Sequence, residues 1–251
     1  MDEIELLIDL HRQGFRQGPG SDKATQQALE LSQVGREKPL HVADIGCGTG
    51  ASTLALARLL PNARITAVDL FPEFLDVLKA RADEQGLAQR VTTLVCSMDK
   101  LPFRDGEFDL IWSEGAIYNI GFANGIGDWR RLLKANGLLV VSEITWLSES
   151  RPEEVQSYWD SQYPEIDTAS AKMQVLEHAA YSPIAFFALP QSCWLENYYR
   201  PLQSRFDAFL ERHSESEEAA RLVELEQKEI AFYEKYSPYY SYGMYVCRNV
   251  G

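Results

Sequence analysis

Positive charge is scarce in this sequence. Its 251 residues include 24 Lys and Arg against 37 Asp and Glu, so the net charge is −13 at pH 7, and no Lys/Arg-rich run offsets the excess. A field of this sign repels nucleic-acid phosphates, so nucleic acid is a disfavoured partner. No apolar stretch approaches the roughly 20 residues of a membrane-spanning helix, and the acidic first ten residues lack the basic region of a signal peptide. These absences predict a cytoplasmic protein that is not bound to a membrane.

Cysteine is also scarce. The four cysteines are scattered, with no C-x-x-C pair, at Cys47, Cys96, Cys193 and Cys247. A disulfide framework or a structural zinc site would need closer pairs, so we expect reduced thiols. Asp and His residues do not cluster at metal-ligand spacing either, and we expect no metal site.

What the sequence does have is an alternation of apolar runs and helical patterns. Five strands are predicted at 40–44, 64–70, 90–97, 108–114 and 138–146. Helices are predicted at about 49–60 and 72–85, and a third is expected to end near residue 134. This alternation indicates a parallel sheet with helices on both faces. Two further strands, at 182–190 and 242–248, are separated by long helical patterns.

The segment HVADIGCGTGAST (41–53) places glycines at every second position after an apolar strand. Gly46, Gly48 and Ala51 fit the dinucleotide-binding pattern, whereas Gly46, Gly48 and Gly50 fit a loop that holds S-adenosylmethionine (SAM). Asp69 ends the next strand, where a carboxylate accepts ribose hydroxyls of either cofactor. An NAD loop holds a pyrophosphate at a helix N-terminus. SAM has cationic groups instead, which favour a nearby acid, and the sequence offers Asp44.

Three later blocks accompany this loop. Leu101-Pro102-Phe103 follows the third strand, FDLIWS occupies the fourth strand (108–113), and LKANGLLV leads into the fifth (133–140). With the glycine loop and Asp69, these blocks resemble class I SAM-dependent methyltransferases of the methyltransferase type 11 family over about 40–145. The resemblance implies SAM as cofactor. It also implies a Rossmann-like seven-stranded, mostly parallel sheet with helices on both faces, an antiparallel last strand and a helical insertion between strands 6 and 7.

The resemblance also implies which residues bind the cofactor. Asp44 would face the methionine amino group, Asp69 would take the ribose hydroxyls, and Leu70 would pack on the adenine. The family usually has an Asp after strand 3 that accepts the adenine amino group, but this sequence has Ser97 there and an Asp two residues later, so either residue is a candidate. The implied cofactor-binding residues are Asp44, Gly46, Cys47, Gly48, Gly50, Asp69, Leu70, Ser97, Met98, Asp99 and Glu114.

The catalytic candidates follow strands 4 and 5. Methyl transfer from a sulfonium is an in-line displacement with a neutral leaving group, so positioning and exclusion of water matter most and no fixed triad is expected. Glu114 and Tyr118 are the catalytic candidates, for substrate contact or as a base. Glu143 is a weaker candidate, because it is equally suited to an ion pair with a lysine or arginine.

The methyl acceptor is expected to be a small molecule. No N-P-P-Y/F motif follows strand 4, and no Pro-Cys nucleophile is placed for cytosine chemistry. The second half is rich in aromatic residues, and an aromatic pocket fringed by acids suits an amine or another cationic acceptor. The segments 16–21 and 146–170 are the predicted lids. A SAM-binding module without chemistry and a protein or RNA methyltransferase remain alternatives, and the absence of a Tyr-x-x-x-Lys arrangement opposes an NAD-dependent oxidoreductase.

The domain prediction is a single SAM-dependent methyltransferase domain over 1–251, with a homodimer left open. Its parts are an N-terminal helical cap at 1–35, a SAM-binding core at 36–146, substrate-side and helical insertion segments at 147–241, and a closing strand at 242–251.

Overall fold

The computed structural model describes residues 2–251, and within them eight strands form one sheet. The strands are β1 (His41–Ile45), β2 (Arg64–Asp69), β3 (Val91–Val95), β4 (Phe108–Ser113), β5 (Leu133–Trp146), β6 (Asp167–Thr168), β7 (Tyr181–Ala188) and β8 (Tyr240–Asn249). Their order is β3-β2-β1-β4-β5-β8-β7, with the two-residue β6 paired to β5. The strand order reverses at β1, which lies between β2 and β4.

Helices connect most of these strands. They are α1 (Glu3–His11), α2 (Asp22–Ser32), α3 (Ala51–Leu59), α4 (Pro72–Glu84), α5 (Phe122–Arg130), α6 (Glu153–Gln162), α7 (Ala169–His178), α8 (Gln191–Trp194), α9 (Arg200–Gln203), α10 (Phe206–Arg212) and α11 (Glu217–Tyr236). A 3₁₀ helix covers Ile117–Ile120, and a π-helical segment, Leu195–Tyr199, joins α8 to α9. No helix in this part of the chain combines the length and apolar character needed to cross a bilayer.

The predicted fold class is confirmed. Strands β1 to β5 pair in parallel, whereas β8 is antiparallel to both β5 and β7. The helices α8 to α11 form the predicted insertion before the closing strand. The short strand β6 was not predicted, because two residues carry no periodic pattern.

One predicted boundary is wrong. The third core helix was expected to end near residue 134, but α5 ends at Arg130 and β5 begins at Leu133. Phe108 pairs with Leu133 while Leu110 pairs with Leu138, so the strand contains an irregularity. Asn136 lies within it at φ 62°, a conformation that Asn tolerates better than most residues. Asn136 therefore marks a bulge in a strand instead of a helix end.

The core lies on both faces of the sheet because side chains alternate along each strand. Val42 and Leu110 belong to one apolar cluster, and their neighbours Ala43 and Ile111 belong to the other. All four side chains are fully buried. This double-sided burial holds the carboxyl ends of β1 and β4 rigidly side by side, where ligands bind in folds of this kind.

Candidate active site

A cavity of about 400 Å³ opens at the carboxyl ends of the parallel strands. We call it the glycine-loop cavity. Its walls include Gly46 after β1, Asp69 at the end of β2, Ser97 after β3 and Glu114 after β4. The N-terminal segment 16–19 closes another side. The volume lies in the range of small-molecule sites.

The glycine loop forms one wall of this cavity, through Gly46, Cys47 and Gly48. A Cβ at Gly46 would lie 2.3 Å from the Cβ of Ala116, and a Cβ at Gly48 would lie 2.3 Å from Oε1 of Gln17. Neither position accepts a side chain without displacing its neighbour. The loop backbone is therefore left bare toward the cavity.

Three predicted cofactor residues, Asp44, Gly50 and Asp99, do not line the cavity. A Cβ at Gly50 would lie 2.1 Å from Cδ1 of Leu78, so Gly50 allows the loop to pack on α4. Asp44 is fully buried, and its Oδ2 accepts hydrogen bonds from Ser52 Oγ at 2.8 Å and from Thr53 Oγ1. Burial raises the pKa of Asp44 to about 7, and its Oδ1 has no hydrogen-bond partner among the described residues.

Asp69 and Leu70 lie together on the cavity wall. Asp69 accepts hydrogen bonds from the backbone N–H of Gly48 at 2.7 Å and of Phe71 at 3.1 Å. Burial raises the pKa of Asp69, and these donors oppose the rise. Leu70 is 56% exposed and gives the cavity wall an apolar surface.

The sequence left Ser97 and Asp99 as alternative contacts for the adenine, and the structure places them differently relative to the cavity. Ser97 and Met98 line the cavity, whereas Asp99 does not. The Asp99 side chain is exposed and accepts a hydrogen bond from Ser97 Oγ. The carbonyl of Met98 accepts a hydrogen bond from Trp129 Nε1 at 2.9 Å, which fixes this turn. Asp99 thus orients Ser97 from outside.

Glu114 forms part of the cavity wall, but both of its carboxylate oxygens already accept hydrogen bonds from protein side chains. Oε1 accepts from Thr25 Oγ1 at 2.6 Å and from Trp112 Nε1 at 2.9 Å, and Oε2 accepts from Arg16 at 3.0 Å. The Arg16 and Glu114 side chains are each only 6% exposed. This geometry does not favour the proposed role as a base, because neither oxygen is left without a protein donor. The ion pair ties the N-terminal segment to the end of β4.

The N-terminal segment contains contacts that the sequence did not reveal. Oε1 of Gln17 accepts a hydrogen bond from the backbone N–H of Thr49 at 2.7 Å. Thr49 Oγ1 donates to the carbonyl of Gly14, and Arg81 donates to the same carbonyl at 3.1 Å. The segment 16–21 was predicted as a lid, and residues 16–19 lie against the glycine loop.

A second cavity of about 250 Å³ adjoins the first. We call it the aromatic cavity, because eight of its eleven lining residues are Tyr or Trp. Tyr118 lines both cavities and keeps 42% of its surface accessible. Glu229 of α11 is the carboxylate on its wall, and sequence analysis did not single it out. The other predicted lid, 146–170, contributes α6 residues to this cavity instead of covering the glycine loop.

Glu143 has a structural partner. It is fully buried on β5 and forms an ion pair with Lys172 at 2.7 Å. Burial raises its pKa, and Lys172 opposes the rise. This pair lies outside both cavities, so it matches the structural alternative given for Glu143.

Comparisons with known proteins agree with this geometry. Residues 42–137 match the model of a family described as "Methyltransferase domain". The chain is 33% identical over 146 residues to a malonyl-[acyl-carrier protein] O-methyltransferase of Herminiimonas arsenicoxydans, which covers 58% of this chain and 53% of that protein. It is 36% identical over 107 residues to a demethylmenaquinone methyltransferase of Tropheryma whipplei, covering 42% of each. The chain thus spans about half the length of these curated relatives. Residues 42–137 of this chain are therefore assigned to a methyltransferase domain.

Solved structures extend the fold of the methyltransferase domain over nearly the whole chain. A SAM-dependent methyltransferase from Geobacter sulfurreducens in complex with S-adenosyl-L-homocysteine (SAH) aligns with a TM-score of 0.82 at 19% identity, covering 98% of this chain and 96% of that one. The [4+2]-cyclase SpnF aligns with a TM-score of 0.77 at 20% identity, covering 99% and 95%. Identities this low establish the fold alone, and a fold hosts more than one chemistry.

The four cysteines are free thiols, of which Cys96 is partly accessible and the others are buried. Among residues 2–251, no group of three or more His, Cys, Asp or Glu is arranged to hold a metal ion.

Proposed function

We propose that this protein transfers a methyl group from SAM to a small molecule bound in the aromatic cavity. The proposal rests on the position of Tyr118, which lines both the glycine-loop cavity and the aromatic cavity. A donor in the glycine-loop cavity and an acceptor in the aromatic cavity would meet at this side chain. The match of residues 42–137 to a methyltransferase domain supports the same function.

The residues of the glycine-loop cavity fit SAM. Asp69 would accept hydrogen bonds from the ribose hydroxyls, and the exposed Leu70 would pack on the adenine. Ser97 and the backbone of Met98 would contact the adenine edge. Asp44 does not line the cavity, but its unpartnered Oδ1 would attract the cationic amino group, partly through water. When bound, SAM supplies a methyl group on a positively charged sulfur.

The contribution of the protein to catalysis is positioning and exclusion of water. Tyr118 is the residue that we propose to contact the reacting acceptor. Loss of hydration around its hydroxyl raises the pKa of Tyr118, and the charge of Glu229 adds to the rise. The hydroxyl therefore stays protonated at neutral pH and would orient the acceptor by a hydrogen bond instead of acting as a base. Glu114 would hold the N-terminal segment closed through Arg16.

Thermal unfolding with SAH, SAM and NAD in parallel tests the cofactor. A ligand at one hundred times its dissociation constant stabilises the folded state by about 2.7 kcal/mol. We expect a rise in Tm with SAH and SAM and none with NAD. A rise with NAD alone would refute the assignment of the glycine loop. Methyl transfer itself is then measured as SAH formed during incubation with mixtures of small amines, thiols and phenols.

The rival function, a SAM-binding module without chemistry, predicts an acceptor pocket filled by side chains. The aromatic cavity retains about 250 Å³ of space beside Tyr118, which favours an enzyme. Binding of SAH without any SAH production across the acceptor mixtures would favour the rival.

We further propose that residues 1–251 act as one domain in the cytoplasm, without a nucleic-acid partner, as the net charge of −13 supports. A homodimer stays a hypothesis, which light scattering of the purified protein tests. Retardation of tRNA or duplex DNA by micromolar protein at low salt would contradict the absence of a nucleic-acid partner.

A further inference from the structure

The aromatic cavity combines a lone carboxylate with aromatic walls. Eight of its eleven lining residues are aromatic, and the others are Ile144, Gln162 and Glu229. No Lys or Arg lines it. An anionic ligand would therefore meet a carboxylate with no basic residue beside it, whereas a cation would meet a carboxylate and π-faces.

Glu229 has a free oxygen in this cavity. Its Oε1 accepts a hydrogen bond from Tyr199 Oη at 2.8 Å, and its Oε2 has no hydrogen bond or ion pair with any residue from 2 to 251. Glu226, one turn earlier on α11, is already paired with His11 at 3.2 Å. Loss of hydration at the carboxyl group and the Glu226 charge raise the pKa of Glu229. Glu229 is an exposed residue, so its second carboxylate oxygen is available to a cation or a hydrogen-bond donor.

The aromatic walls are rigidly held. Trp194 stacks on Tyr233 at 4.3 Å and on Tyr242 at 5.1 Å between ring centroids, and its Nε1 donates to Ser241 Oγ at 2.9 Å. The hydroxyls of Tyr240 and Tyr242 make no hydrogen bond within residues 2–251, although both rings line the cavity. The cavity thus offers a fixed apolar shape with unused oxygen acceptors.

We propose that the aromatic cavity binds a small molecule with a positively charged nitrogen, which Glu229 pairs with and the surrounding Tyr and Trp rings enclose. This inference rests on the proposed function, because it names the chemical class of the methyl acceptor. The nitrogen that Glu229 holds need not be the atom that is methylated. Selectivity for a cation over a neutral molecule of the same shape is the property that this arrangement predicts.

Matched pairs of probes measure that selectivity. Choline and 3,3-dimethylbutan-1-ol have the same shape and differ in the charge of one atom, and tyramine and 4-propylphenol form a second pair. We expect isothermal titration of the SAH-saturated protein to show that the cation of at least one pair binds at least tenfold more tightly than its neutral partner. Equal binding within both pairs, or no binding of either cation, would overturn the proposal.

Two variants test whether the carboxylate of Glu229 is the source of this selectivity. Glu229→Gln keeps the shape of the side chain and removes its charge, so the preference for the cation should fall to about threefold or less. Glu224→Gln is the matched control, because Glu224 lies on the same helix, is 62% exposed and pairs with Lys228 on the surface. Retention of the preference in Glu229→Gln would also overturn the proposal.

Measuring SAH binding distinguishes failure of the cation proposal from failure of the proposed methyltransferase function. If the protein binds SAH but does not discriminate within the pairs, the cation proposal fails and the methyltransferase function stands. If SAH does not bind, the proposed function fails, and titrating the same pairs without SAH still measures cation selectivity in the aromatic cavity.

Discussion

At the scale of single residues, the glycine loop depends on close contact more than on flexibility. Gly46 has φ +73°, and a Cβ there would lie 2.3 Å from Ala116 Cβ. Gly86 has a similar φ of +68°, but a Cβ at that position would have no neighbouring atom within 4 Å. Alanine substitutions at the two glycines therefore distinguish the effect of a steric clash from that of backbone strain.

Gly46→Ala should weaken SAH binding at least tenfold, because the methyl group displaces the cavity wall that Ala116 forms. Gly86→Ala should carry only the left-handed strain, about 1–2 kcal/mol of unfolding free energy, with unchanged SAH affinity. Isothermal titration and urea unfolding measure the two effects. Equal SAH affinities in the two variants would show that the glycine loop does not shape the ligand site.

Asp44 makes stability depend on pH. Its pKa is raised from 3.8 to about 7, first by burial, so the folded protein holds this proton more tightly than the unfolded chain. The resulting stability is fully present below about pH 4 and is lost as pH rises through about 7. Asp44→Asn cannot ionise and lacks this dependence.

Between about pH 5 and 7, the unfolding free energy of the wild type should therefore fall relative to Asp44→Asn, by up to about 1.4 kcal/mol per pH unit. Urea unfolding at several pH values measures the difference. The control is Asp76→Asn, which alters an α4 side chain that is 72% exposed and should follow the wild type. A constant difference between wild type and Asp44→Asn would contradict the prediction.

At the scale of elements, the N-terminal segment is joined to the sheet by one buried ion pair. Arg16 and Glu114 lie 3.0 Å apart, and both side chains are 6% exposed. A pair of this kind matters most when only one partner is removed, because the remaining charge stays buried without compensation. Removing one partner alone should therefore destabilise the protein more than removing both.

Arg16→Met should lower the unfolding free energy by about 3–5 kcal/mol. Arg16→Met combined with Glu114→Gln should recover much of that loss, since no buried charge remains. Arg36→Met is the control, because Arg36 pairs with Glu30 at the surface and such pairs contribute about 0–1 kcal/mol. Urea unfolding distinguishes these cases, and additive losses in the double variant would argue against the coupling.

At the scale of the whole molecule, β8 completes the sheet from the far end of the chain. It pairs with β5 on one side and β7 on the other, and Tyr240, Met244 and Val246 belong to the larger apolar cluster. Removing it would expose two strand edges and part of the core at once.

A chain ending at residue 239 should therefore lose cooperative unfolding, as measured by circular dichroism in urea. A chain ending at residue 249 is the control, because Val250 is 57% exposed, and its unfolding free energy should change by less than about 0.5 kcal/mol. Cooperative unfolding of the shorter chain would mean that β5 and β7 are stable without their common neighbour.

The sequence by itself determined the sheet and the position of the glycine loop. Apolar strands buried on both faces read as continuous runs, and the glycines and Asp69 lie within a short stretch of chain, so local pattern was sufficient. The same locality led the sequence analysis to Ser97 and Met98 after β3, and both residues line the cavity.

Only the tertiary structure decided what lies across from that loop. Two partners of Glu114, Arg16 and Thr25, lie far from it in sequence. Glu229 reaches the aromatic cavity from a helix that shows no distinguishing motif. Contacts of this kind depend on how separate elements pack, and no local periodicity records them. The sequence therefore identified the cofactor, whereas packing determined the shape and charge of the cavity beside it.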